Sequence, residues 1–187
     1  MTGHAPAATN NNLTAKLEVQ PSIARAYAMV LIKTIIFTIF IPGTVTILVP
    51  YWLLSSASTP IQPGPFRYFG VLPLIIGVAI YCWCAWDFAF AGKGTPAPFD
   101  PPKELVVRGL YRYVRNPMYV GILSILLGEA LLFASLRLFA YTAFAFVFYS
   151  LVVVLYEEPT LRHKFGESYR RYCKSVGRWI PRRAKNF

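Results

Sequence analysis

Histidine and cysteine are nearly absent from this chain, and acidic side chains are few. The two histidines, His4 and His163, and the three cysteines, Cys82, Cys84 and Cys173, share no metal-ligand spacing, which speaks against a metal centre. Cys82 and Cys84 fall on different faces of a helix, and all three read as free thiols with no disulfide required. Eight Asp and Glu stand against 19 Lys and Arg, for a net charge of +11. Over long stretches charge is missing altogether. Thr34 to Phe66, Tyr68 to Trp86 and Leu138 to Tyr156 carry none, and Pro117 to Ser135 carries only Glu129. With 56% hydrophobic and 14% charged residues, a soluble domain is excluded.

A bilayer core of about 30 Å takes roughly 20 apolar residues in a helix. Four stretches meet or approach that length, so the expected fold is an all-α integral membrane protein with four spans, at about 33–54, 68–90, 117–135 and 138–157. The opening residues lack a basic segment followed at once by an apolar core, so no secretory signal is expected. Residues 1–26 read as a disordered or interfacial tail, and 27–187 as a single membrane domain without internal repeats. Pro42-Gly43 should kink the first span, while Tyr51 and Trp52 suit an outer interface. Asp87 follows the second span near the surface, and the four prolines of Gly92 to Pro102 forbid helix there. The third and fourth spans form a tight hairpin around Ser135 to Arg137. Leu161, Phe165, Tyr169, Tyr172 and Val176 then recur at helical spacing among basic residues, which predicts an amphipathic interfacial helix over about 159–176, with Trp179 as an anchor beyond it.

A strongly basic chain raises the question of nucleic acid. The cations instead cluster before the first span, between the second and third, and after the fourth, while the other connections hold only Arg67 and Arg137. That is the positive-inside pattern, with both termini cytoplasmic in a bacterial or archaeal plasma membrane, no nucleic-acid partner, and the lipid bilayer as the surrounding partner.

Two segments carry candidate chemistry. In "GLYRYVRNPMYVG" (Gly109 to Gly121), Asn116-Pro117 suits a helix start, with Asn as N-cap and Pro at the first position. The helix N-terminus attracts an anion, Arg112 and Arg115 add full charges, and Tyr111, Tyr113 and Tyr119 supply rings and hydroxyls. In "EEP", Glu157 and Glu158 sit where Pro159 frees a carbonyl near Leu155. Both segments end at the same membrane surface, so the carboxylates should face the "RNPMY" helix start. Glu158 should point about 100° away from Glu157, toward the basic tail.

The order "LVVRGLYRYVRNPMYVG", apolar hairpin, "EEPTLRHKFGESYRRYCKSVGRWIP" closely resembles the isoprenylcysteine carboxyl methyltransferase family and is similar to the related phospholipid methyltransferases. The resemblance covers about Gly92 to Pro181. It implies a membrane-embedded methyltransferase using S-adenosylmethionine without a Rossmann domain. It further implies cofactor contacts from Lys103, Glu104, Leu105 and Val106, from Tyr111, from the Arg115, Asn116, Pro117, Met118, Tyr119 motif, and from Glu157. Two positions depart from the family. Asn116 stands for a histidine and cannot titrate near neutral pH, and Val153 stands where prenyl-cysteine enzymes carry a substrate-binding arginine. No residue looks like a covalent nucleophile, so the catalytic role falls to positioning by Tyr119 and Arg115. A lipid-like or prenylated acceptor would enter sideways along Ile122, Phe148 and Val153. The competing readings are a phospholipid N-methyltransferase, an NADPH-binding membrane reductase, and a membrane protein without activity.

Overall fold

The structure is a computed structural model. It describes residues 32, 35, 36, 38–56, 64–91, 105 and 107–182. The expected N-terminal tail, the proline-rich connection and Lys103, Glu104 and Val106 lie outside the described residues.

All regular structure among the described residues is helical. Helix α1 covers Thr38–Ser55, α2 Val71–Ala91 behind a 3₁₀ turn at Pro65–Gly70, α3 Pro117–Leu132, α4 Leu136–Val152 and α5 Glu158–Ser175. Three helical stretches are long and apolar enough to cross a membrane: Thr38–Ser55, Pro65–Asp87 and Leu136–Ser175. The expected third span is a shorter apolar helix of 16 residues. It ends at Leu132 rather than at 135 because the chain closes on itself. Ser135 N–H donates to Ala130 O and Ala134 N–H to Leu131 O, while Ala134 adopts a φ of 46°. This is a Schellman stop with alanine in the place glycine usually takes. The hydroxyl of Ser135 then accepts from Leu138 N–H and starts α4.

Two prolines are each preceded by a π-helical turn. Thr44–Leu48 runs up to Val49-Pro50, and Val153–Glu157 up to Glu158-Pro159. A proline ring clashes with the carbonyl one turn back, and widening the turn by one residue relieves that clash. Pro42, the expected kink of the first span, lies before the first of these turns. In the second turn Glu158 N–H donates to Val153 O, five residues behind it. The result is one helical path from Leu136 to Ser175, not a span followed by a separate helix. The expected single stretch over 159–176 is interrupted once, at Gly166, whose φ of 53° and ψ of −125° are not helical. Across that break Tyr169, Tyr172 and Val176 are buried together, with Leu161, Phe165, Leu105, Val107 and Cys173 packed against them.

Glycine sets how α2 meets α3. Gly70 faces Gly128 and Gly77 faces Gly121, an antiparallel crossing with seven residues between contacts on each helix. A Cβ on Gly77 would sit 2.5 Å from Gly121 O, and one on Gly70 2.5 Å from Gly128 O. Helices surrounded by hydrocarbon gain nothing from burying apolar area and rely on such close backbone approach. Tyr81, Ile122, Leu126, Ala145 and Tyr149 form the core among α2, α3 and α4, and Val45 of α1 packs against it. Arg137, at the start of α4, donates to Ser56 O at 2.8 Å, which brings the end of α1 to the same end of the bundle as the α3–α4 turn.

Candidate functional site

The opposite end of the bundle gathers "RYVRNPMY", the π turn and the C-terminal segment. A 3₁₀ turn at Gly109–Arg112 leads into it, with Gly109 at a φ of 51°. Tyr111 is buried there, and its carbonyl accepts from Tyr172 Oη at 2.7 Å. Its phenol meets the thiol of Cys84. Burial first, then the neighbouring Cys84 and Tyr172, raise the Tyr111 phenol well above its ordinary range, so it stays neutral.

Pro117 opens α3 as expected, but Asn116 does not cap it. Its φ of −122° and ψ of 54° come without a side-chain cap hydrogen bond. Its Nδ2 instead donates to Arg178 O at 3.2 Å. The reason is that "SVGRWIP" docks alongside. Val114 and Gly177 form a parallel bridge, Arg115 N–H donates to Gly177 O at 2.8 Å, and Arg182 N–H to Tyr113 O at 2.7 Å. Trp179, expected as an interface anchor, packs against the core with its ring centroid 5.5 Å from that of Phe146.

The two adjacent carboxylates have opposite surroundings. Glu158 is 5% exposed and fully compensated. Arg178 grips it with a fork, Nε to Oε1 at 2.7 Å and Nη2 to Oε2 at 3.1 Å. Arg115 Nη1 lies 3.0 Å from Oε1, and Arg162 Nη2 3.6 Å from Oε2. The hydrogen bonds to Glu158 hold the Arg178 guanidinium above its already high ordinary value. Glu157 takes part in none of the ion pairs among the described residues. Its partner is a phenol: Tyr119 Oη donates to Glu157 Oε1. The Tyr119 ring stacks on Tyr149 at 4.6 Å. As helical geometry predicts, the carboxylates diverge, Glu158 toward the basic tail and Glu157 toward α3.

Of the residues singled out in sequence, Tyr119 and Glu157 come together directly, and Arg115 joins Glu158. Arg115 also donates from Nη1 to Cys173 Sγ at 2.9 Å, while its buried Nε has no partner among the described residues. Pro117 is fully buried, Met118 packs on the core beside Tyr119, and Leu105 packs on the Tyr169–Tyr172 cluster. The three residues expected along one acceptor path differ in setting. Ile122 and Val153 are buried, whereas Phe148 is half exposed. Ile122 borders a cavity of about 560 Å³, which is also lined by Thr38, Thr46, Tyr81 and Ile125. Residue spacing revealed neither the docked C-terminal segment nor the contact of Asp87 with Gly109. The helix crossing was missed as well, although the repeated seven-residue spacing of Gly70 and Gly77 and of Gly121 and Gly128 was an available signal.

The phospholipid methyltransferase family matches residues 65–168. Methanethiol S-methyltransferase of Pseudomonas deceptionensis is 36% identical over 77 residues, 41% of this chain and 28% of that protein. Protein-S-isoprenylcysteine O-methyltransferase of Schizosaccharomyces pombe is 39% identical over 80 residues, 41% of this chain and 33% of that protein. The matched stretch thus spans about a third of the length of either relative. No solved structure matches the chain.

Proposed function

The chain belongs to the phospholipid methyltransferase family, and we propose on that premise that it transfers a methyl group from S-adenosylmethionine to a lipid-like or prenylated acceptor at the cytoplasmic membrane surface. The observation that carries this is the contrast between two neighbouring carboxylates. Glu158 has three guanidinium partners and Glu157 has none among the described residues. A carboxylate taken out of water without a counter-ion is costly and marks a functional position near lipid. A cationic ligand supplies what Glu157 lacks.

The side chains present fit this cofactor. Glu157 offers charge, the stacked Tyr119 and Tyr149 rings offer π faces to a cation, and the unpartnered Arg115 Nε offers a donor to an anionic group. We assign cofactor contacts to Glu157, Tyr119, Tyr111, Asn116, Pro117, Met118 and Leu105, together with Lys103, Glu104 and Val106. When bound, S-adenosylmethionine supplies a methyl group on a positively charged sulfur. The chain's own task is then orientation and exclusion of water. Tyr119 holds the Glu157 carboxylate in place, and Arg115, braced by Glu158 and Gly177, fixes the start of α3. The Asn116 amide is oriented by its Nδ2 bond to Arg178 O and does not act as a general base.

We read the chain as a four-span protein with both termini cytoplasmic. At 16 residues α3 measures about 24 Å, short for a bilayer core; its antiparallel glycine crossing with α2 and its hairpin with α4 support reading it as the further pass. An apolar acceptor enters from the bilayer. Ile122 borders an apolar cavity suited to hydrocarbon, Phe148 is half exposed, and Val153, enclosed at the start of the π turn, brings no charge to the acceptor. The acceptor head is a carboxylate, a thiol or an amine. Methylation of a phospholipid amine is the second reading, supported by the family's own description. Methyl-tritiated cofactor should be offered to the purified protein with a farnesylated cysteine analogue, phosphatidylethanolamine and a short soluble thiol in competition. Label in one of the two amphiphiles is the expected result. Strong preference for the soluble thiol would defeat lateral entry, and absence of cofactor binding by calorimetry would defeat the assignment altogether.

A further inference from the structure

Resting on that cofactor assignment, the geometry points to Asp87 as a second carboxylate of the site, one that takes the α-ammonium group of S-adenosylmethionine. Asp87 lies in the last turns of α2, at the same end of the bundle as Glu157. Its Oδ2 is buried and has no hydrogen-bond partner among the described residues. That oxygen lies against Gly109: a Cβ at Gly109 would collide with it and come within 2.9 Å of Trp83 Nε1. Glycine is favoured there by its φ of 51°, and a Cβ would in addition push the Asp87 carboxylate aside. The turn that begins there carries Tyr111, whose phenol meets Cys84, one helical turn before Asp87, and has Glu157 within electrostatic reach. Asp87, Cys84, Tyr111 and Glu157 thus follow one another from the end of α2 to the π turn.

Among the described residues no Lys or Arg pairs with either Asp87 or Glu157. A buried acceptor oxygen without a donor is unfavourable. An α-ammonium carries three N–H donors and a full charge, which answers both deficits at Asp87. The other cation of the same ligand, the sulfonium, has no N–H to donate. It suits Glu157, whose Oε1 already accepts from Tyr119 and whose neighbours are stacked rings. Each cationic centre of the ligand then has one carboxylate.

The test is calorimetry on the full chain in detergent micelles with S-adenosylhomocysteine and with its deamino analogue, which lacks the ammonium. Wild type should prefer the amino ligand by about tenfold or more. Asp87→Asn, which preserves shape, should abolish that preference and bind both ligands as wild type binds the deamino compound. Undiminished binding of the deamino compound also shows that the variant is folded. An equal loss for both ligands, or no loss for either, overturns the assignment. Failure of wild type to bind either nucleoside overturns the cofactor assignment itself, a result distinct from wild-type binding that Asp87→Asn leaves untouched.

Discussion

Glu157→Gln should weaken cofactor binding and leave the ligand-free protein about as stable as before, whereas Glu158→Gln should do the reverse. Gln keeps the volume of Glu157, and its carbonyl oxygen still accepts from Tyr119 Oη. The charge-assisted part of that bond, about 1 kcal/mol, is lost. Relief from holding an uncompensated charge out of water offsets it, so the net change in stability stays within about 1 kcal/mol. The cofactor loses a charged contact of about 1–3 kcal/mol, roughly five- to 150-fold in Kd. At Glu158 the balance differs. Arg115 has a side chain only 12% exposed and would be left without its counter-ion, the situation that costs about 3–5 kcal/mol when a buried pair is broken. The side chains of Arg178 and Arg162 are 37% and 58% exposed and recover water, so about 2–3 kcal/mol is expected. Thermal unfolding followed by tryptophan fluorescence in detergent gives the stability arm, and calorimetry with S-adenosylmethionine the binding arm. The account of the two carboxylates is wrong if Glu157→Gln lowers Tm as far as Glu158→Gln does, or if it leaves Kd unchanged.

Gly77→Val should cost about 1–3 kcal/mol by overpacking the α2–α3 crossing, because its Cβ would press on Gly121 O and Ile125; thermal unfolding reads this, and an unchanged Tm would mean the helices do not approach so closely. Ala134→Gly should stabilise by about 0.5–1 kcal/mol, since the positive φ at the hairpin stop strains alanine, and a lowered Tm would contradict the observed turn. Single cysteines at Ser56 and Arg182, in a background lacking native cysteines, should be labelled by a membrane-impermeant reagent from opposite sides. Labelling from one side would refute the four-span topology.

Hydropathy carried most of the architecture. An uncharged run long enough for a bilayer becomes a helix wherever lipid or packed protein denies its backbone water, so the positions of α1, α2 and α4 were legible from composition to within a few residues. Proline was nearly as direct: Pro117 starts a helix and Pro159 follows a widened turn, because a missing N–H and a rigid ring act locally, whereas the widened turn of α1 belongs to Pro50 and not to Pro42. The divergence of Glu157 and Glu158 followed from helical geometry alone. What partners those groups find is a matter of packing between segments far apart in the chain. Asn116 is a good N-cap by type, yet its amide is drawn to Arg178 O, 62 residues away, because the C-terminal segment docks there. Arg115 and Arg178 are topology charges by position, and they become counter-ions only because the same docking brings them onto Glu158. Asp87 reads as an ordinary end-of-span residue until Gly109 is seen resting against its carboxylate. Local rules set where helices begin and how they widen. Close packing set which carboxylate is compensated and which has no counter-ion among the described residues, because compensation depends on distances of a few ångströms across elements that no residue spacing encodes.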